Sequence, residues 1–194
     1  MKTALVTITG VSAYGQGKFA DIPRLKNPNG VVIETSEDHE LRTWRERLHY
    51  DPATEEVYIP PMAFKNALSE AAKFASMQVP GKGKSTYTKH FEAGVLCFKP
   101  LMLGIKKNDV QSETLFVPSD GKRGGGTRVK KIFPVIQKWG GVVEFTILDD
   151  TITKDVFKTH IEVAGNLIGI GRFRPRNNGY YGRFAVTNIE WIEG

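Results

Sequence analysis

The 194-residue sequence contains a single cysteine, Cys97. That excludes an intramolecular disulfide and any zinc site needing two thiolates. No apolar run approaches the ~20 residues that a membrane-spanning helix requires. The opening MKTALVTITGVSAYGQG has a short apolar run interrupted by Thr7 and Thr9, where a secretory signal would have a longer unbroken core. The expectation is a soluble, cytoplasmic chain with no membrane contact. The four histidines, His39, His49, His90 and His160, form no H-E-x-x-H, H-x-x-x-H or Cys/His cluster, so no metal site is expected. There is no G-x-S-x-G. Gly121–Thr127 lacks the G-x-x-x-x-G-K-[ST] spacing of a phosphate-binding P-loop, and no cofactor is expected. Asp149-Asp150 has no visible third ligand and reads as ordinary charge ahead of a helix.

What is abundant is positive charge, and it is concentrated. The chain carries 27 Lys+Arg against 21 Asp+Glu, a net charge of +6. Residues 1–80 hold 9 basic and 10 acidic side chains, residues 81–131 hold 11 and 4, and residues 132–194 hold 7 and 7. The excess lies in the middle segment, which is also glycine-rich: Gly81-Lys82-Gly83-Lys84, then Gly121-Lys122-Arg123 running on to Arg128, Lys130 and Lys131. Glycine lowers order and like charges repel, so both stretches read as mobile basic loops. A basic, mobile clamp suits a polyanion, most often nucleic acid. A solvated surface is the plainer reading of the same residues.

Periodicity supplies the elements. Lys2–Gly10 alternates and is β-branched, which predicts a strand, and Val31–Glu34 predicts a weak one. Asp38–His49 has helical spacing at Leu41, Trp44 and Leu48. Met62–Ser76 predicts a strong helix, opened by Pro60-Pro61. Gly94–Ile105 predicts a strand, with Pro100 implying an edge or a bulge. Lys130–Gln137 and Val142–Leu148 read together as one further strand, a long hairpin arm broken by Gly140-Gly141. Thr153 is a good N-cap for a helix whose apolar face is Val156, Phe157, Ile161, Ala164, Leu167 and Ile168. Arg183–Ile192 closes as an alternating strand. Without the insertions the order is β-α-β-β-α-β, which predicts an α+β, ferredoxin-like (RRM-like) core in one domain of residues 1–194, with a basic insertion over about 78–131.

The most informative stretch is Gly169–Phe184: sixteen residues with four Gly (169, 171, 179, 182), four Arg (172, 174, 176, 183), two Asn, two Tyr, two Phe and no acid. Glycines let a backbone approach a phosphate closely, and arginines offer forked donors to it. Tyrosines offer stacking faces worth ~1–3 kcal/mol per base in single-strand binders. Arg172, Arg174, Arg176, Tyr180, Tyr181 and Arg183 are the expected wall of a site that binds single-stranded RNA or DNA without cutting it. Lys82, Lys84, Lys122, Arg123, Arg128, Lys130 and Lys131 are its expected clamp.

This stretch resembles the glycine-rich loop of the RAMP superfamily of CRISPR-associated proteins. Gly169-Ile170-Gly171 matches the first half of that motif, and Gly179-Tyr180-Tyr181-Gly182 the second with one extra residue and a seven-residue spacer. Ile59-Pro60-Pro61-Met62-Ala63-Phe64-Lys65-Asn66-Ala67-Leu68 is similar to the lead-in to the first helix in the backbone-subunit branch, with Met62-Ala63 and Asn66 where that pattern has small residues. The resemblance implies a ferredoxin-like core and a subunit that coats a guide RNA in a row of copies, or a reduced phage or mobile-element relative of one. It implies RNA, further copies of the chain and other CRISPR-type subunits as partners.

Two further classes stay open. The repeat-processing endoribonucleases of the same superfamily cut RNA without metal, usually with a histidine helped by Tyr or Lys; His49 beside Tyr50 and Arg47, and His90 beside Lys89 and Tyr87, are the candidates. A protein-binding inhibitor or assembly adaptor, its basic loops meeting an acidic surface, is the third.

Overall fold

The computed structural model describes residues 1–119 and 126–194. In chain order the elements are β1 (Lys2–Gly10), β2 (Tyr14–Gly15), α1 (Ser36–Thr43) with a 3-10 turn (Trp44–Arg47), β3 (Glu56–Ile59), α2 (Pro61–Ala75), α3 (Thr88–Gly94), β4 (Val95–Leu96), β5 (Leu101–Lys106), β6 (Gln111–Pro118), β7 (Arg128–Ile136), β8 (Gly140–Ile147), α4 (Lys154–Val163) with a π-helical turn (Ala164–Ile168), and β9 (Phe184–Glu193). The fold is mixed α/β with several antiparallel sheets. Four strands stand in the order β4-β8-β1-β9, three in the order β2-β7-β6, and β3 pairs with β5.

β1 is one of the two inner strands of the first sheet. Its alternation puts Ala4, Val6 and Ile8 on the buried face, where Val143, Phe145 and Ile147 of β8 join them. α2 and α4 cover that face. Phe145 meets Phe157 of α4 at 5.4 Å between ring centroids, and Phe64 of α2 meets Phe184 of β9 at 6.3 Å. Each such buried side chain contributes about 1.5–3 kcal/mol through removal of apolar surface from water. Pro61 opens α2 at the position where its missing N–H has no partner to lose. Thr153 caps α4, its hydroxyl accepting the Val156 N–H at 3.3 Å. Leu167, expected on the buried face, is exposed, because the wider π turn rotates it outward while Ile168 stays inside.

Three expectations need correction. Gly94–Ile105 is two strands: β4 closes the edge of the first sheet, the chain turns at Pro100, and β5 leaves to pair with β3. β7 and β8 are not one interrupted strand. β7 pairs with β6 and β2, whereas β8 pairs with β1 and β4, and the chain changes sheets between them. Val31–Glu34 forms no strand; Val32 makes one isolated bridge to Lys26. The helix predicted over Asp38–His49 starts at Ser36, capped by Thr35, and tightens to 3-10 geometry after Thr43.

Glu40 ties α1 and the 3-10 turn to β7. Arg47 grips its carboxylate at 2.8 and 2.6 Å, Lys131 Nζ lies at 2.5 Å, and the Ile132 N–H donates at 3.3 Å. Burial raises the carboxyl pKa, but these donors outweigh it and hold the group at about 2. A depressed carboxylate contributes stability above its ordinary value near 4.5 and loses it as the pH falls toward about 2. Thermal unfolding followed from pH 7 to pH 3 is expected to show the midpoint falling across that window. Glu40→Gln, which leaves Arg47 and Lys131 without their anion, is expected to start about 3 kcal/mol lower at pH 7 and to fall less with acid.

Candidate nucleic-acid interface

The glycine-rich segment leaves the π turn and folds back on itself before β9. Ile170 N–H donates to Gly182 O at 3.0 Å, Gly182 N–H to Ala13 O at 2.7 Å, and Arg172 N–H to Gly15 O at 2.9 Å. Two glycines make this closure possible. Gly171 has φ +76°, and a Cβ there would lie 2.4 Å from Gly15 O; Gly182 has φ +73°, and its Cβ would lie 1.8 Å from Ile170 O. Gly169 and Gly179 are similarly crowded, by Pro175 Cδ and by Phe173 O. The glycines therefore admit neighbouring protein backbone, and the space expected for a phosphate is filled by the chain itself.

The arginines part company. Phe173 takes φ +53° and Pro175 opens a 3-10 turn, so alternate residues do not share a side. Arg172 turns toward β2 and β7. Its guanidinium lies over the Phe133 ring, 4.8 Å from the centroid, and so close along Gly17 that a Cβ there would sit 1.9 Å from Nε. Phe133 is held edge-on by Phe173 at 5.3 Å. Partial burial, and secondly repulsion from Arg47, lower the Arg172 pKa from its ordinary value. Among the described residues no carboxylate pairs with Arg172, whereas Arg47 and Lys131 share the single carboxylate of Glu40. Around the seat, Arg172, Arg47 and Lys131 thus stand against Glu40, shared by the last two, and Glu113, which lies across the ladder from Phe133 and takes the Tyr181 hydroxyl. Exposed Lys18 lies nearby, its backbone N–H donating to Arg47 O.

Arg174 and Arg176 turn the other way, to Glu70 of α2, at 2.8 and 3.2 Å. Arg183 donates through Nε to Asn166 O at 3.1 Å and braces the loop to the π turn. Tyr181 donates its hydroxyl to Glu113 of β6; burial first and that carboxylate second push its pKa up to about 12. Tyr180 alone presents an open ring, 80% exposed.

The expected clamp divides as well. Arg128, Lys130 and Lys131 lie on β7, not in a loop, and Lys130 pairs with Glu37 at 2.5 Å. Lys82 and Lys84 are exposed in a turn ahead of α3, which leads into β4 at the end of the sheet where β1 begins; the glycine-rich segment lies where β1 finishes. Lys122 and Arg123 fall outside the described residues. Of the candidate histidines, His90 binds Asp149 at 2.6 Å and Thr151 at 3.0 Å, at the end opposite the glycine-rich segment. His49 stands near the arginine seat: its backbone N–H donates at 2.7 Å to Gln16, which follows Gly15. Burial and the Lys18 charge lower the His49 pKa.

Phe133 and the Gly15-Gln16-Gly17 stretch are site-forming residues that the sequence reading passed over, and Arg47 entered it only as the cation beside His49. The G-x-G spacing was the local signal for the stretch; Phe133 read as an ordinary strand position. Among the described residues no group of three or more His, Cys, Asp or Glu side chains is placed to hold a metal ion, and no helix is long and apolar enough to cross a membrane.

No family model matches the sequence, and no curated protein matches it. In fold the chain is similar to a chain of the type III-B Cmr-beta structure bound to cognate target RNA, with a TM-score of 0.49 at 12% identity over 99% of this chain and 61% of that one. This chain therefore spans less than two thirds of that protein. Cmr6 from Pyrococcus furiosus gives a TM-score of 0.48 at 13% identity, over 96% of this chain and 99% of that one. A chain of a CRISPR RNA-guided surveillance complex gives 0.35 at 11% identity, over 84% and 58%. Likeness of this degree assigns no activity, substrate or partner to the chain.

Proposed function

We propose that this chain binds single-stranded RNA without cutting it, as a RAMP-like subunit of a CRISPR-type ribonucleoprotein. The observation that carries the reading is the Arg172 seat: a guanidinium stacked on Phe133, without a carboxylate of its own, beside Arg47 and Lys131 with one anion between them. Crowding like charges is costly, and an anionic ligand offsets that cost. A stacked guanidinium also suits RNA, since it can donate to phosphate and lie flat on a base. The strand order β4-β8-β1-β9 with α2 and α4 as crossovers supports a ferredoxin-like core.

The test uses the purified chain and a labelled single-stranded RNA. Co-purifying nucleic acid with a raised 260/280 nm absorbance ratio is expected, with the added probe bound and intact. Three contacting cations predict a log affinity that falls with log salt at a slope of about −2. A probe cut into defined fragments, with cutting lost in His49→Ala, would replace this reading with the endoribonuclease. No affinity for any strand would leave the protein-binding role.

A further inference from the structure

Glu70 projects from α2 into a cleft of about 500 Å³, among Asn66, Ser69, Lys73, Phe74, Glu92 and Arg176, a volume within the usual range for small-ligand sites. Each of its carboxylate oxygens meets a different guanidinium: Oε2 meets Arg174 Nη1 at 2.8 Å and Oε1 meets Arg176 Nε at 3.2 Å. One planar anion between two arginine forks is the arrangement by which arginines hold a phosphate. A guanidinium has five N–H donors, and these contacts use one nitrogen of each, so both forks keep donors for another acceptor. Beside the pair, Phe74 is 52% exposed, with the Arg176 guanidinium 5.9 Å from its ring centroid. Lys73 adds a third cation at the cleft and Glu92 a second anion, while Asn66 and Ser69 add neutral hydrogen-bonding groups.

We propose that this cleft is a nucleotide subsite of the single strand, in which Glu70 stands in the free protein where a phosphate of the bound strand sits. Phe74 is the stacking platform for the adjoining base. The strand displaces Glu70 from Arg174 and Arg176, so the same carboxylate that braces the loop in the free state competes with the ligand. The subsite rests on the RNA-binding reading and extends it from the Arg172 seat to α2. It also assigns opposite effects to neighbouring substitutions, which a brace alone would not.

Anisotropy titration of a labelled single-stranded RNA with four proteins tests it. The original chain sets the reference. Glu70→Gln keeps the shape but removes the competing charge, and is expected to bind about fivefold tighter, given the ordinary strength of two partly exposed ion pairs. In Glu70→Gln with Arg174→Gln and Arg176→Gln, that gain is expected to vanish. Phe74→Trp keeps an aromatic face at the platform, and the fluorescence it adds to that of the chain's own tryptophans is expected to be quenched as RNA is added. A Glu70→Gln protein that binds equally or more weakly, or a Phe74→Trp protein whose added fluorescence is indifferent to bound RNA, would overturn the subsite while the original chain still binds. Failure of the original chain to bind RNA would instead remove the function on which the subsite rests.

Discussion

Arg172→Glu is expected to weaken RNA binding at least tenfold while the protein remains folded. The substitution replaces a cation that has no carboxylate of its own with an anion, next to Arg47 and Lys131, which already share Glu40. The new carboxylate would satisfy Arg47 internally and repel the phosphate. Loss of a charge-assisted contact costs about 1.5–3 kcal/mol, or roughly ten- to a hundredfold in affinity. The loss to the fold is smaller, because the stack on Phe133 is worth about 1 kcal/mol near the surface. That corresponds to roughly 2–4 °C in a chain of this size. Arg172→Lys keeps the charge but not the planar fork, and an intermediate affinity is expected. The measurement is an anisotropy titration at fixed salt paired with a thermal melt. Unchanged affinity in a folded Arg172→Glu protein would rule out the seat.

Gly182→Ala is expected to be the most damaging single-methyl change outside the core. The added Cβ would lie 1.8 Å from Ile170 O, at a φ of +73° that L-residues rarely adopt. Neither problem has a side-chain solution, since the obstructing atom is backbone. The left-handed conformation alone costs about 1 kcal/mol, and displacement of the Ile170 and Ala13 hydrogen bonds brings the total to about 3 kcal/mol. The thermal midpoint should drop by roughly 6–12 °C, and RNA affinity should fall with it, because Arg172 is positioned from the same closed loop. Gly126→Ala is the control: nothing lies within 4 Å of an added Cβ there, and a change within about 0.5 kcal/mol is expected. A Gly182→Ala melt like that of the control would show that the loop can close another way.

Much of the first sheet and its helices was legible because each signal was local. The alternation of β1, the proline that opens α2 and the threonine that caps α4 act within a few residues of themselves. Sheet membership was not legible, because it depends on distant partners. β7 and β8 have similar apolar content and a short link, which suits one interrupted strand equally well. What separates them is the Gly140-Gly141 step, where a Cβ on Gly140 would meet Ile8 O at 2.5 Å and φ at Gly141 is +144°. At the site, the arginines were identified as a group but not as two. The spacing 172, 174, 176 puts all three on one side of an extended chain. The left-handed Phe173 and the turn from Pro175 send the first to β7 and the others to α2. Glu70, the residue that reveals the second group, carries no sequence mark that distinguishes it from other helix carboxylates.

β1 is flanked on both sides by strands from the far part of the chain, β8 and β9. In vectorial synthesis, Lys2–Gly10 therefore leaves the ribosome long before either neighbour exists. At ~5–20 residues per second, the wait for Phe184–Glu193 is roughly ten to forty seconds. Throughout that time an alternating strand with two open edges is available to wrong partners. The seat is delayed likewise, since it joins residues around positions 15, 47, 133 and 172. An unfinished chain thus lacks the Arg172 seat until most of its length has been made.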